Sequence, residues 1–182
     1  MSIKKNLFFL DIDHVLNSDD HIQSVNESAG LKTRDEFLKY FDEDPGEYLE
    51  EERVARLDRC LDELAPDPYI VTCSTWQDTF PPNELTKILA ENGFTHTIED
   101  ATRNRVRRKM DSTRETDIVG TIRGIDPFPN RVVILDDALL WDLRHYQVRP
   151  EDGLKKQHID EIQHVWDLSW NEDRADVGRG DE

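Results

Sequence analysis

Two aspartates one residue apart, Asp11 and Asp13, close an apolar run in the stretch LFFLDIDHVLN. Carboxylates this near each other repel unless a cation or a shared proton offsets them, so the pair suggests a metal site or an acid/base pair. An Asp-rich turn after a strand is the plain alternative. A second pair, Asp136 and Asp137, ends the apolar run RVVILDD, and a third run, YIVTCST, ends on Ser74 and Thr75. Mg²⁺ prefers hard oxygen ligands, and Asp11, Asp136 and Asp137 could supply its carboxylates. A phosphate held beside Asp11 would be open to attack by that carboxylate, giving an aspartyl-phosphate. Asp13 would stand where a leaving oxygen needs a proton and where water must later lose one. Ser74 and Thr75 offer a hydroxyl and backbone N–H groups for phosphate oxygens, and Arg114 a charged fork of donors.

These residues need elements that bring them together. Residues 7–10 are apolar at every position, the pattern of a strand buried on both faces. Continued as a strand, the chain would turn Asp11 and Asp13 to the same side. Residues 18–50 read as polar and irregular, with one short helix in RDEFLKYF (Phe37, Leu38 and Phe41 at helical spacing) and a turn at Asp44, Pro45 and Gly46. EEERVARLDRCLDELA is a helix with Val54, Leu57, Leu61 and Leu64 on one face. PPNELTKILAENGF is a second, opening on prolines and closing near Gly93. THTIED and YQV are short strands. Ser112 or Thr113 caps a helix carrying Ile118, Val119 and Ile122, and KKQHIDEIQHVWDL is a last helix with Ile159, Ile162 and Val165 inward. Strands alternating with helices predict an α/β fold, a Rossmann-like doubly wound parallel sheet. Ligands of such sheets bind beyond the carboxyl ends of the strands, where three separate runs here deliver polar residues.

The 182 residues suit one domain, and the formal net charge of −17 argues against non-specific binding to nucleic acid or anionic membrane. Cys60 and Cys73 lack metal-ligand spacing and read as buried reduced thiols, which fits a cytoplasmic protein. No apolar run is long enough to span a bilayer, and MSIKKNLFF lacks a signal-peptide pattern, so the chain reads as soluble. The tail, residues 171–182, is acidic, without apolar periodicity, and is expected to be disordered.

FFLDIDHVLN resembles motif I of the haloacid dehalogenase-like (HAD) phosphohydrolases, a hydrophobic strand followed by Asp-x-Asp-x-Thr/Val. YIVTCSTW resembles motif II, STRETDIVGTI the helix bearing the motif III cation, and RVVILDDA the Asp-Asp form of motif IV. The STW, RETDI and EDGL segments are most similar to the HAD domain of Swiss-army-knife RNA repair proteins. The resemblance implies a HAD core over residues 1–170 with a small cap-like insert at 18–50. It implies Asp11 as nucleophile and Mg²⁺ ligand, and Asp13 as general acid/base with its backbone carbonyl on the metal. It further implies Asp136 and Asp137 as metal ligands, Ser74 and Arg114 as phosphate-binding residues, and Mg²⁺ as cofactor. Thr72 and Thr75 compete with Ser74 for the motif II role, and Lys109 competes with Arg114 for motif III. Many members carry Gly where His14 stands, while related phosphatases carry Glu. His14 therefore reads as a tolerated side chain at the mouth of the site, with a substrate contact as the alternative.

A lightly covered site suits a phosphate on a nucleic-acid end or a nucleotide. The island RNRVRRK, residues 103–109, holds Arg105, Arg107, Arg108 and Lys109 in an acidic chain. It is either a solvated face or a contact for substrate phosphates. Trp76 is either a core residue or a platform for a base. The expected activity is a Mg²⁺-dependent phosphomonoesterase. The competing reading is a HAD-fold protein without turnover that binds a phosphorylated ligand or a protein partner.

Overall fold

The computed structural model describes residues 6–64, 67–102, 113–125, 129, 131–138, 140, 145–149 and 154–164. Five strands, β1 (Asn6–Leu10), β2 (Tyr69–Thr72), β3 (Ile98–Ala101), β4 (Arg131–Asp136) and β5 (Tyr146–Gln147), form one sheet in the order β3-β2-β1-β4-β5. Every pairing is parallel. Parallel neighbours need crossovers, and those linking β1 to β4 along the chain carry α3 (Glu51–Glu63), α4 (Pro82–Glu91) and α5 (Arg114–Arg123). A helix at residues 156–164 follows β5.

The central strand shows why the apolar run is continuous. Phe8 and Leu10 belong to a core shared with Val54, Leu57 and Leu61 of α3, Leu85 and Leu89 of α4, and Ile159 and Ile162. Leu7 and Phe9 point the other way, into a core with Val71, Ile118, Ile122 and Ile134. The sheet is thus covered on both faces, as the α/β reading requires. Thr113 caps α5 by accepting the N–H of Thr116, and Gly93, at φ +91°, follows the end of α4. Cys60 and Cys73 are buried free thiols. Among the described residues no helix is long and apolar enough to cross a membrane.

The insert departs from its sequence reading. Residues 19–28 are not irregular but form α1 (Asp19–Ser28), capped by Ser18, and α2 (Arg34–Glu43) carries a Thr33/Glu36 capping box. α1 buries no residue fully, so the apolar signal that marks a helix is weak there, whereas α2 is the helix expected in RDEFLKYF. Ile22, Val25, Phe37 and Phe41 pack, partly buried, against the larger core. A short 3-10 helix, Pro45–Tyr48, leads back to α3. The two ends of the insert meet: Ser18 Oγ donates to Glu50 Oε1 at 2.7 Å, and the Glu50 N–H donates to the Leu16 carbonyl at 2.9 Å. Arg53 fastens the joint, pairing with Glu50 and donating to the Asn17 carbonyl at 2.6 Å. The basic island with Arg105, Arg107, Arg108 and Lys109, the alternative cap Ser112, Val165 and the tail 171–182 lie outside the described residues.

Candidate active site

β1 and β4 are in register, Leu10 opposite Leu135, so the residues after them emerge side by side. The Asp11 N–H still pairs with the Leu135 carbonyl at 2.9 Å, and Asp136 ends β4. Both aspartates have no exposed surface. Ligand oxygens of Asp11, Asp136 and Asp137 all lie within 4.8 Å of one another. Arg114, the first residue of α5, reaches into this group: Nη1 donates to Asp11 Oδ2 and Asp136 Oδ1 at 2.5 Å and to Asp137 Oδ1 at 3.3 Å.

The electrostatics follow from burial. Burial and then the Asp136 charge raise the Asp11 carboxyl from its ordinary 3.8 to about 8, against the pull of Arg114. Burial raises Asp136 as well, opposed by Arg114 and by the Ala138 N–H. For Asp137 burial also pushes upward, but the His14 hydrogen bond, with further help from Asp11 and Arg114, takes it below the ordinary value. Cys73 lies under the group, its Sγ 3.5 Å from Asp136 Oδ2, and burial with the Asp11 charge holds the thiol well above its usual range. The site thus gathers three hard carboxylates around one guanidinium and remains short of positive charge. That donor set fits a divalent cation of the Mg²⁺ type.

Asp13 is elsewhere. Strand geometry stops at Leu10, and the Val15 and Leu16 N–H groups both bond to the Ile12 carbonyl, folding residues 12–16 into a turn. The expectation that Asp11 and Asp13 share one side through strand periodicity is therefore corrected: the turn carries the Asp13 carboxylate out of the acidic group. Its two oxygens accept from uncharged donors, Thr75 Oγ1 at 2.8 Å and Trp76 Nε1 at 2.7 Å.

His14 occupies the left-handed region at φ +58° and is the one described non-glycine residue that does so. Glycine adopts this conformation without strain, so the turn holds an imidazole where glycine would be the relaxed residue. The imidazole is part-buried and engaged at both nitrogens: Nδ1 lies 2.9 Å from Asp137 Oδ2 and Nε2 3.1 Å from Asp19 Oδ1. Burial alone would lower its pKa, but the hydrogen bond and charge of Asp137, then Asp19, raise it above the ordinary 6.5. His14 thus ties the acidic group to the first residue of α1.

In the motif II segment, Thr72 is a strand residue whose Oγ1 accepts the Ser74 N–H, Ser74 is buried and its Oγ accepts the Trp76 N–H, and Thr75 is exposed. Trp76 is 3 % exposed, with its ring packed edge-on to Phe41 at 4.8 Å and tilted against Phe80 at 6.3 Å. A ring so enclosed offers no face for base stacking, so of the two readings Trp76 takes the core one and not the platform for a base. The contacts that sequence reasoning missed are Thr75 and Trp76 on Asp13 and His14 on Asp137. The adjacency of STW to motif II was the available signal for the first two.

An all-parallel sheet of this order, with acidic side chains gathered past its two central strands, is the HAD-like arrangement. The chain belongs to the family described as the HAD domain in Swiss Army Knife RNA repair proteins, whose profile matches residues 7–159. Neither curated proteins nor solved structures give a significant match. Membership supports phosphohydrolase chemistry on a phosphorylated substrate in general terms.

Proposed function

We propose that the protein is a Mg²⁺-dependent phosphomonoesterase that works through an aspartyl-phosphate on Asp11 and acts on a nucleic-acid end phosphate or a nucleotide. The observation that carries this reading is the separation of two aspartates: Asp11 in a buried group with Asp136, Asp137 and Arg114, Asp13 at its edge on neutral donors. Asp11, Asp136 and Asp137 would hold the metal, which would neutralise phosphate charge and favour the ionised form of Asp11.

In the first step an Asp11 oxygen bonds to phosphorus as the bond to the leaving oxygen breaks, and the Asp13 carboxyl gives that oxygen its proton. In the second step the Asp13 carboxylate takes a proton from water, whose oxygen bonds to phosphorus as the Asp11–phosphorus bond breaks. Inorganic phosphate leaves and both carboxyl groups are restored. Arg114 orients the transferring group by donating to its oxygens, and the Ser74 hydroxyl completes the cradle.

The test is phosphate release from nucleotides, sugar phosphates and 3′- or 5′-phosphorylated oligonucleotides, with and without Mg²⁺. Release that requires Mg²⁺ and is absent in Asp11→Asn supports the reading; release that survives either change refutes it. Neutralising Arg105, Arg107 and Arg108 together should raise KM for an oligonucleotide and leave a small phosphate ester nearly unaffected. The oligonucleotide reaction should weaken with salt as a few phosphate contacts release counterions. Equal responses of both substrates would point to a small phosphorylated metabolite instead.

A further inference from the structure

The contacts around Asp13 form a chain that leads out of the site. Trp76 Nε1 donates to Asp13 Oδ1 at 2.7 Å, and Thr75 Oγ1 takes the other oxygen at 2.8 Å. The indole is itself held by the insert, since Phe41 of α2 meets it edge-on at 4.8 Å and also contacts Phe80 at 5.5 Å. Tyr48 continues the cluster, 5.6 Å from Phe41, and its hydroxyl donates to Asn26 Oδ1 of α1 at 2.9 Å. A tryptophan N–H donates only and carries no charge, so it fixes the direction of the carboxyl group without sharing its proton.

We propose that Trp76 is a positioning residue for Asp13, and that helix α2 sets its place through Phe41. The proposal rests on the phosphatase reading for its catalytic consequence but not for the contact itself. A carboxyl group that must protonate a leaving oxygen has to face it, and one that pivots freely in water does so only part of the time. Thr75, exposed and on a short side chain, supplies one hydrogen bond; the buried indole supplies the rigid one. The insert would thereby act on turnover through the packing beneath Asp13.

Trp76→Phe keeps an aromatic ring between Phe41 and Phe80 and removes the N–H. Two substrates separate positioning from general damage. An alkyl phosphate such as a nucleoside monophosphate needs its leaving oxygen protonated, whereas 4-nitrophenyl phosphate has a leaving group stable as an anion. Because kcat/KM covers binding and transfer onto Asp11 but not hydrolysis of the phosphoenzyme, it contains the step in which Asp13 gives a proton and excludes the one in which it takes one. Trp76→Phe should lower kcat/KM about 10- to 100-fold for the alkyl ester and less than about threefold for the aryl ester. In an Asp13→Asn background it should cost the alkyl ester nothing further. Phe41→Leu should show the same selectivity at smaller size. Equal losses on both esters, or no loss on either, would overturn the proposal.

The contact has a readout that needs no turnover. The Trp76 indole N–H resonance, identified by its absence in Trp76→Phe, should shift in Asp13→Asn and exchange faster with solvent in Phe41→Leu. An indole resonance indifferent to both changes would overturn the proposal independently. A wild-type protein that releases phosphate from neither ester nor any phosphorylated oligonucleotide would instead remove the phosphatase reading and leave the contact to be judged by this measurement alone.

Discussion

Asp11 and Asp13 are one residue apart in the chain and occupy two different regions, a charged floor and an uncharged rim. The floor holds Asp11, Asp136, Asp137 and Arg114, buried among like charges and one guanidinium. On the rim, Asp13 stands on a hydroxyl and an indole, with aromatic rings of the insert behind it. A floor of this kind raises the proton affinity of its two fully buried carboxyl groups, Asp11 and Asp136, and invites a cation. A rim of this kind fixes the direction of its carboxyl group through neutral donors. The comparison teaches that environment, rather than residue type, divides labour between two identical side chains.

The largest expected effect breaks the floor. Asp11→Asn should reduce phosphate release to background and yet stabilise the metal-free protein. The folded-state pKa of Asp11, about 8, lies above its ordinary 3.8, so the folded protein holds that proton more tightly than the unfolded chain does. Its favourable contribution is complete below about pH 4 and is lost as pH rises through about 8; Asp136 acts with the same sign and Asp137 with the opposite one. Thermal melts without metal should therefore show Tm falling between pH 5 and roughly 8 in the wild type, with a shallower fall in Asp11→Asn. Each kcal/mol relieved is worth about 2–4 °C. Parallel slopes for the two proteins would contradict the assignment of the titration to Asp11.

Asp136→Ala and Asp137→Ala come next, with turnover lost or its Mg²⁺ response flattened. Ca²⁺ should inhibit the wild type, because its longer and looser coordination misplaces a phosphate relative to Asp11. Activity undiminished by thorough chelation would break the comparison at its charged end.

A smaller effect sharpens the link between the two regions. His14→Gly removes the tie from Asp137 to Asp19 and relaxes a backbone held at φ +58°. The Mg²⁺ concentration for half-maximal rate should rise roughly 10-fold, the lower end of what loss of an outer partner costs a metal site, with kcat at saturating Mg²⁺ little changed. An unaltered Mg²⁺ titration would leave His14 with a structural role only. The smallest effect falls outside both regions. Ser18→Ala should cost about 1 kcal/mol through loss of the α1 cap and of the bond to Glu50, without changing kcat. Calorimetry beside a rate assay checks this.

Much of the floor could be read from sequence because strands encode it twice. A run such as FFL must be a covered strand, and in a parallel sheet the residues after adjacent strands are brought to one edge whatever the loops do. Asp11, Asp136 and Arg114 therefore converge as the motif order implies, since each sits at a strand end or helix start. The rim was less legible. Asp13 lies past the last strand residue, where the turn at residues 12–16 redirects the side chain and periodicity has nothing to say. Trp76 looked like a choice between core and ligand contact, yet an indole can be packed on its faces and still present its N–H to a site. Helix α1 escaped for a related reason. It offers Ile22 and Val25 alone to the core, too sparse a stripe to stand out among polar neighbours.

The joint between Ser18 and Glu50 means that the insert leaves and re-enters the sheet layer at a single port. Such an excursion can change length cheaply, because doubling a closed loop costs only about 0.6 kcal/mol of chain entropy. The freedom is not uniform along it. Material could be added around the α1–α2 junction, at residues 29–32, far more easily than at Phe41, whose ring anchors the excursion to Trp76. The port and the packed faces of the two helices are held, and between the helices a new lobe could be grafted while the strands below keep their alignment.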